Sequence, residues 1–307
     1  MAGSKFRPDR GLTTRMVMTM GLLALVYAAF IAGLVLAGLS VWLVLLIVAG
    51  FALFSYFASD RIAMFSMGAK EVTPQQAPDL HAVIDRLCAM ADMPKPRVGI
   101  ADTDVPNAFA TGHNEKSAVI CVTTGLMRRL EGPELEAVLA HELSHVAHRD
   151  VMVMTIAGFL GIVAGFLTQA GLRFALFTGG MRGNNNNGPA PAVIALLVVL
   201  VSAVAWALSF LLTRALSRYR ELSADRAAAY LTGRPSMLGS ALTKITGDMV
   251  RIPTRDLRQV EPFNAFFFAP ALSRKGFSFS QLIATHPPVQ QRLAQLSDIS
   301  RQLGQGG

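Results

Sequence analysis

A long stretch without a charged side chain, from Met16 to Ser59, is the strongest constraint on this chain. A helix needs about 20 apolar residues to cross the hydrocarbon core of a bilayer, so the stretch has room for two crossings. Gly38 and Ser40 lie near its middle and suit a tight turn. The sequence therefore predicts two membrane-spanning helices, at about 16–37 and 40–58.

Two more uncharged runs follow, one from Val151 to Leu172 and one within Gly183 to Thr213. They predict spans at 151–172 and 191–213, although glycine-rich helices also pack inside proteins. Charged residues make up 16% of the chain and hydrophobic residues 52%. Soluble domains carry about 25% charged residues, so the composition favours a membrane protein with four transmembrane helices.

Positive charge is distributed unevenly around these spans, and the more positive side of a membrane protein faces the cytoplasm. Both termini and the polar regions are therefore expected to be cytoplasmic. The net charge of +8 fits contact with anionic lipid, and no motif for binding nucleic acid accompanies it. The basic residues on the predicted cytoplasmic side are Lys5, Arg7, Arg10, Arg15, Arg61, Lys70, Arg149, Arg214, Arg218 and Arg220, against Arg173 and Arg182 on the other.

The spans divide the chain into four predicted parts. Residues 1–59 form a transmembrane hairpin, 60–150 a first cytoplasmic part, 151–213 a second transmembrane pair with its loop, and 214–307 a second cytoplasmic part. Apolar periodicity predicts a helix at 80–90, and short β-like runs predict strands at 97–102, 107–112 and 117–123. The expected class is a mainly α membrane protein with a cytoplasmic α+β domain that contains a small sheet.

The segment "VLAHELSHVAHRD" carries a metal-binding pattern. His141 and His145 are one helical turn apart, so their rings leave the same face, and two neutral imidazoles at that spacing can bind one zinc ion. Glu142 lies to the side, where it can take a proton from water without binding the metal. This HExxH pattern also occurs by chance, but here apolar residues surround the polar stripe. It predicts a zincin-like catalytic site.

A catalytic zinc needs a third protein ligand. His148 shares a face with His141, but another turn of a straight helix carries it too far from the metal. Glu221 and Asp225 lie four residues apart on one helical face. One of them could complete the ligand set while the other orients an imidazole. The alternative is a solvated helix with salt bridges to neighbouring arginines, and the spacing leaves both possibilities open.

The HExxH helix is expected to continue directly into the third span. On a continuous helix His145 lies six residues before Val151, or about 9 Å at the standard rise. The metal would then lie close to the cytoplasmic surface of the membrane. Such a site favours substrates that are themselves in or near the bilayer.

The order of motifs resembles the HtpX family of membrane zinc metalloproteases, which are relatives of the CAAX prenyl proteases. The resemblance rests on the paired N-terminal spans, "PNAFATG", "HELSHVAHRD", "SRYRELSAD" and "HPPVQQR". It implies that Glu221 is the third zinc ligand and Asp225 a supporting residue. It also implies a stress-response enzyme of the bacterial inner membrane that removes misfolded or damaged membrane proteins.

Two more segments are assigned hypothetical roles in catalysis. The strand residues Asn107, Ala108, Phe109 and Ala110 are expected to bind a polypeptide substrate as an added strand. His286 and Arg292 are candidate donors to the oxyanion that forms during hydrolysis. The alternative is structural: a histidine that caps the last helix and an arginine in a surface salt bridge.

Three other functions share some of these features. A zinc transporter needs polar or charged residues within its spans, and the predicted spans contain no charge. A metal-binding scaffold without catalysis would not need Glu142. A CAAX-type prenyl-protein protease uses the same chemistry but encloses its site with more spans. The sequence favours a zinc endopeptidase.

Overall fold

The computed structural model describes residues 10–37, 39–42, 45–50, 53, 64–65, 67–112, 114, 117–178, 191–251 and 286–304. The chain divides into two compact units. A helical unit comprises residues 17–57 and 153–216, and a mixed unit comprises 1–16, 58–152 and 217–307. The elements are α1 (Arg10–Leu36), β1 (Ala69–Glu71), α2 (Pro78–Ala91), β2 (Arg97–Ala101), β3 (Ala108–Thr111), β4 (Val119–Thr123), α3 (Thr124–Arg129), α4 (Gly132–Ala147), α5 (Asp150–Thr178), α6 (Pro191–Thr232), α7 (Pro235–Arg251) and α8 (Val289–Gln302).

Among the residues that the structure describes, three helices are long and apolar enough to cross a membrane: α1, α5 and α6. They coincide with the predicted first, third and fourth spans. The predicted second span at 40–58 is described only at 40–42, 45–50 and 53, and the rest of it lies outside the described residues. Large apolar side chains such as Leu25 and Leu196 are exposed on these helices, as expected for surfaces that meet lipid.

Close contacts between small and polar residues hold the helical unit together. A side chain at Gly33 would collide with Val201, so the glycine allows α1 and α6 to approach closely. The Tyr27 hydroxyl donates to the carbonyl of Ala157, and Thr213 Oγ1 donates to the same carbonyl at 3.2 Å. Small residues and interhelical hydrogen bonds of this kind stabilise helix pairs in membranes.

The mixed unit contains a four-stranded sheet in the order β1-β2-β4-β3. β2 and β4 are parallel, whereas β1 and β3 pair antiparallel with β2 and β4. The three predicted strands are confirmed with slightly shorter bounds. The polar three-residue strand β1 was not predicted, because so short a segment carries no alternation signal. Among the described residues β3 lies at the edge of the sheet, with β4 as its neighbour.

Helices α2, α4, α7 and α8 pack with the sheet around one hydrophobic core. α4 begins with a capping box, in which Glu131 accepts from the N3 amide and Glu134 from the amide of Glu131. The buried Glu134 carboxylate also accepts from Ser240 at 2.6 Å and from Lys244 at 2.8 Å. These bonds fix the start of α4 to α7, and α4 is the helix that carries the HExxH residues.

The expectation that the HExxH helix runs straight into the third span is wrong. α4 ends at Ala147, and α5 begins at Asp150. Between them Arg149 adopts a positive φ of 55°, a left-handed conformation that an L-residue can occupy singly but cannot extend as a helix. The break removes the basis for the predicted 9 Å spacing. By contrast, α6 is one helix from Pro191 to Thr232, which continues well past residue 213, where the predicted fourth span ends.

Candidate metal centre

Two imidazole rings of α4 face each other across one helical turn. His141 Nε2 and His145 Nε2 are 3.1 Å apart. The opposite nitrogen of each ring faces a carboxylate: His141 Nδ1 is 3.0 Å from Asp225 Oδ1, and His145 Nδ1 is 2.6 Å from Asp150 Oδ2. A carboxylate can only accept from Nδ1–H, so each neutral ring carries its lone pair on Nε2. The two lone pairs point toward one place.

This donor arrangement fits a cation. Two lone pairs 3.1 Å apart repel each other unless a positive charge lies between them. In a tetrahedral zinc site with zinc–nitrogen bonds of about 2.0–2.1 Å, two ligand nitrogens are about 3.3 Å apart. Burial lowers the pKa of both His141 and His145 to about 4. At neutral pH both rings are therefore uncharged, and protons do not compete for Nε2.

The carboxylate of Glu221, on α6, completes the group. Its Oε2 is 3.7 Å from His141 Nε2, and its Oε1 is 3.5 Å from His145 Nε2. The candidate ligand atoms of His141, His145 and Glu221 all lie within 4.8 Å of one another, which makes them a potential metal site among the described residues. Two imidazoles and one carboxylate are a donor set that catalytic zinc sites use. The structure thus brings the three predicted ligands together.

Arg292 and His286 lie beside this group. The Arg292 guanidinium donates to Asp225 twice, at 2.7 Å from Nε and 2.6 Å from Nη2, and its Nη1 is 3.6 Å from Glu221 Oε2. His286 Nδ1 is 3.0 Å from the same Glu221 oxygen. Arg292 is only 1% exposed, and the residue that caps α8 is Pro288. The alternative of a capping histidine and a surface salt bridge is therefore wrong.

Glu142 lies between the metal group and the sheet edge. Its buried carboxylate accepts a hydrogen bond from the backbone N–H of Ala110, in β3. Burial and the nearby Glu221 charge raise the pKa of Glu142 well above its usual value, while Arg292 opposes that shift. A raised pKa suits a carboxyl group that must both accept and return a proton.

The four predicted substrate-binding residues differ in the direction of their backbone hydrogen-bonding groups. Asn107 is buried, and its backbone bonds with Thr123, at 2.9 Å from Asn107 N–H to Oγ1 and 2.9 Å from Thr123 N–H to the Asn107 carbonyl. In an antiparallel pair, hydrogen-bonded positions alternate with open ones. Asn107 and Phe109 therefore face β4, whereas the backbone groups of Ala108 and Ala110 point away from β4.

Sequence reasoning missed Asp150 and Arg220. On a continuous helix, Asp150 would point away from His145, five residues earlier. The break at Arg149 brings its Oδ2 to the His145 ring, while Oδ1 forms an ion pair with Arg220. An aspartate just before an apolar run is a typical helix start, and this signal could have revealed the break. His148, which was rejected as a ligand, is exposed.

Comparisons with known proteins lead to one family of peptidases. The sequence profile of peptidase family M48 matches residues 74–300. The chain is 56% identical to Protease HtpX homolog 1 of Streptomyces coelicolor, over 98% of this chain and 97% of that protein. It is 51% identical to the Protease HtpX homolog of Moorella thermoacetica, over 96% of each. The fold is similar to a crystal structure of S. mikatae Ste24p, with a TM-score of 0.56 and 18% identity, over 92% of this chain and 67% of that one.

Proposed function

Because this chain belongs to peptidase family M48, we propose that it is a zinc endopeptidase that degrades misfolded or damaged membrane proteins at the cytoplasmic face of the bacterial inner membrane. The family, the HtpX relatives and the apolar helices make it a membrane metalloprotease. The observation that supports zinc-dependent peptide hydrolysis is the convergence of His141, His145 and Glu221 beside the buried Glu142.

Each polar group of the site has a chemical task. His141, His145 and Glu221 would hold zinc, which when bound supplies Lewis acidity toward water and toward the scissile carbonyl. Glu142 takes a proton from the attacking water as the new carbon–oxygen bond forms. It then returns that proton to the amine nitrogen as the carbon–nitrogen bond breaks. Asp225 holds the Nδ1 proton of His141, so that Nε2 stays available to the metal.

The edge of β3 that points away from β4 supports recognition of a polypeptide through its backbone. Ala108 and Ala110 offer backbone groups at that edge, and Ala110 N–H already bonds with Glu142. A substrate strand added there would lie next to the catalytic carboxylate. Main-chain hydrogen bonds are independent of side-chain identity, so this mode tolerates many sequences. Such tolerance suits an enzyme that must cleave diverse misfolded chains.

Chelation tests the proposed activity. The purified full chain in detergent is expected to cleave an unfolded membrane protein, to lose cleavage after zinc removal, and to regain it with one zinc per chain. Metal analysis and gel-based cleavage measure the two quantities. Magnesium added to the chelated enzyme is the control, because the two imidazoles suit zinc and magnesium prefers oxygen ligands. Cleavage that persists without metal would contradict the proposal.

His286 and Arg292 are proposed to stabilise the oxyanion of the tetrahedral intermediate. Both lie at Glu221 and are buried, so bulk water is kept away from their donor groups. Removing one oxyanion donor costs about 10²–10³-fold in kcat. His286→Ala is expected to lower kcat by that order and to leave KM and zinc content unchanged. Arg292→Lys, which keeps the charge but loses the paired bonds to Asp225, is expected to lower zinc affinity as well.

A matched substitution on α8 is the control for Arg292→Lys. Arg301→Lys makes the same change at an exposed residue of α8 and is expected to cleave at the wild-type rate. Melting temperatures separate lost chemistry from lost folding. If His286→Ala keeps the wild-type kcat with full zinc content, His286 is not an oxyanion donor.

The proposed orientation rests on the distribution of lysine and arginine around the spans. Cysteines introduced at the exposed positions Lys70 and Arg234 are expected to react in intact cells only with membrane-permeant thiol reagents. A cysteine at Asn185 is expected to react with impermeant ones. The native Cys88 and Cys121 are buried and provide an unreactive background. Labelling of position 70 by an impermeant reagent would reverse the orientation.

A further inference from the structure

The two histidines of the metal centre have matching surroundings. On one side, Arg292 binds Asp225, and Asp225 faces Nδ1 of His141. On the other side, Arg220 binds Asp150, and Asp150 faces Nδ1 of His145. Each ligand ring therefore has an aspartate behind it, and each aspartate has an arginine behind it. The sequence motifs predicted a supporting role for Asp225 and assigned no role in the site to Asp150 or Arg220.

We propose that Asp150 and Arg220 are a positioning pair for His145. Asp150 accepts the Nδ1 proton, which keeps the Nε2 lone pair directed at the metal and fixes the plane of the ring. Arg220 acts through Asp150, because it neutralises the carboxylate and holds it in place. This inference rests on the proposed zinc site and adds to it a second pair of residues that shape the ligand set.

The break between α4 and α5 is what makes the pair possible. Five residues along a continuous helix correspond to a rotation of about 140°, which would point Asp150 away from His145. The positive φ of Arg149 ends α4 and places Asp150 at the first position of α5, with Oδ2 2.6 Å from His145 Nδ1. An energetically unfavourable backbone conformation at this point therefore has a functional explanation.

Arg220 is anchored as well as paired. Its Nη2 donates to the backbone carbonyl of His148 at 3.2 Å, just beyond the end of α4. The side chains of Arg220 and Asp150 are only 11% and 9% exposed. Since water screens little of this ion pair, its geometry is held more firmly than that of a surface pair. Arg220 directly precedes the candidate ligand Glu221. Its side chain therefore links α6 to the backbone that follows His145.

The charges support the same assignment. Arg292 offsets Asp225 and Arg220 offsets Asp150, so each supporting carboxylate adds little net charge to the centre. Glu221 then remains the charged ligand beside two neutral imidazoles. Without Arg220, the buried Asp150 carboxylate would lose its cationic partner, which is a costly change. The pair therefore orients His145 while leaving the charge of the ligand set unchanged.

Zinc affinity is the first measurement, made on the full-length protein by competition with a chelator. Changes behind a ligand histidine typically weaken metal binding by about 10–100-fold. Asp150→Asn, which keeps the shape and removes the charge, is expected to weaken zinc binding by that factor. At saturating zinc, KM is expected to stay at the wild-type value. Asp85→Asn and Arg86→Gln, on α2 and in exposed ion pairs, are matched controls that should bind zinc as the wild type does.

A double variant separates positioning from structural support. If Arg220 acts through Asp150, then Asp150→Asn with Arg220→Gln weakens zinc binding no more than Asp150→Asn alone. The double variant also removes both charges together, so it tests the proposal if the single variant does not fold. A folded double variant with wild-type zinc affinity would overturn the assignment, as would losses that add fully.

The imidazole itself provides a readout that needs neither variant nor activity. In metal-free wild-type protein labelled with ¹⁵N-histidine, the His145 ring is expected to be protonated at Nδ1, with the lone pair on Nε2. Protonation at Nε2 would overturn the proposal even if the enzyme is a zinc peptidase. Failure of the wild type to bind zinc at all would instead refute the proposed function, so the two failures are distinguishable.

Discussion

Glu142→Gln is expected to abolish nearly all peptide cleavage while one zinc per chain is retained. Glu142 lies next to the ligand group and is not part of it, and its carboxylate bonds with the edge strand at Ala110. An amide keeps the shape of the side chain but cannot take a proton from water. General acid–base catalysis contributes about 10²–10⁴-fold, so kcat should fall by at least that order.

The matched control for this variant lies on the same helix. Glu136→Gln makes the same change at a residue of α4 whose partner is the exposed Arg86, and it should cleave at the wild-type rate. Zinc content and kcat are measured on the same preparations, with self-cleavage as a second readout. A clean Glu142→Gln preparation with wild-type activity would eliminate the proposed mechanism.

Glu221→Ala is expected to cause the largest loss of metal. Glu221 provides one of three candidate ligands, so removing its carboxylate should weaken zinc binding by more than 100-fold. Asp225→Asn should weaken it by about 10–100-fold, because Asp225 acts through His141 rather than on the metal. Zinc titration in competition with a chelator gives both constants.

The order of the two effects is the decisive result. Glu71→Ala, at an exposed position on β1, is the control for losing a carboxylate far from the centre. Melting temperatures of the metal-free proteins show whether either variant is misfolded. If Asp225→Asn loses more zinc than Glu221→Ala, the two residues exchange the roles proposed for them.

Short sequence patterns predicted the helix face that carries the ligands, the membrane spans and the three strands. The HExxH spacing determines which helix face the ligands share, whatever surrounds the helix, and the uncharged runs determine where a chain can cross a membrane. The strands around Arg97, Ala108 and Val119 were predicted because each is a short, largely apolar run bounded by turn residues. Each of these features is visible within about ten residues of sequence.

Features that depend on distant contacts could not be predicted. Asp150 before an apolar run signals a helix start, but no local pattern shows that its carboxylate meets the His145 ring. Arg292 resembled a surface residue of an amphipathic helix, but the buried Asp225 draws it inward. Glu221 and Asp225 could not be assigned separate roles from their spacing. Three-dimensional contacts distinguish them, because Glu221 faces Nε2 of His141 and Asp225 faces Nδ1.

The order of the site residues along the chain has a consequence for biosynthesis. His141 and His145 precede the apolar segments of α5 and α6, whereas Glu221 and Arg292 follow them. At about 5–20 residues per second, a ribosome needs roughly 10–30 s to travel from the first group to the last. During that interval the nascent chain lacks a complete ligand set and cannot hydrolyse peptides. With the proposed ligand set, the enzyme therefore cannot cut itself or its neighbours before the ribosome has passed Glu221.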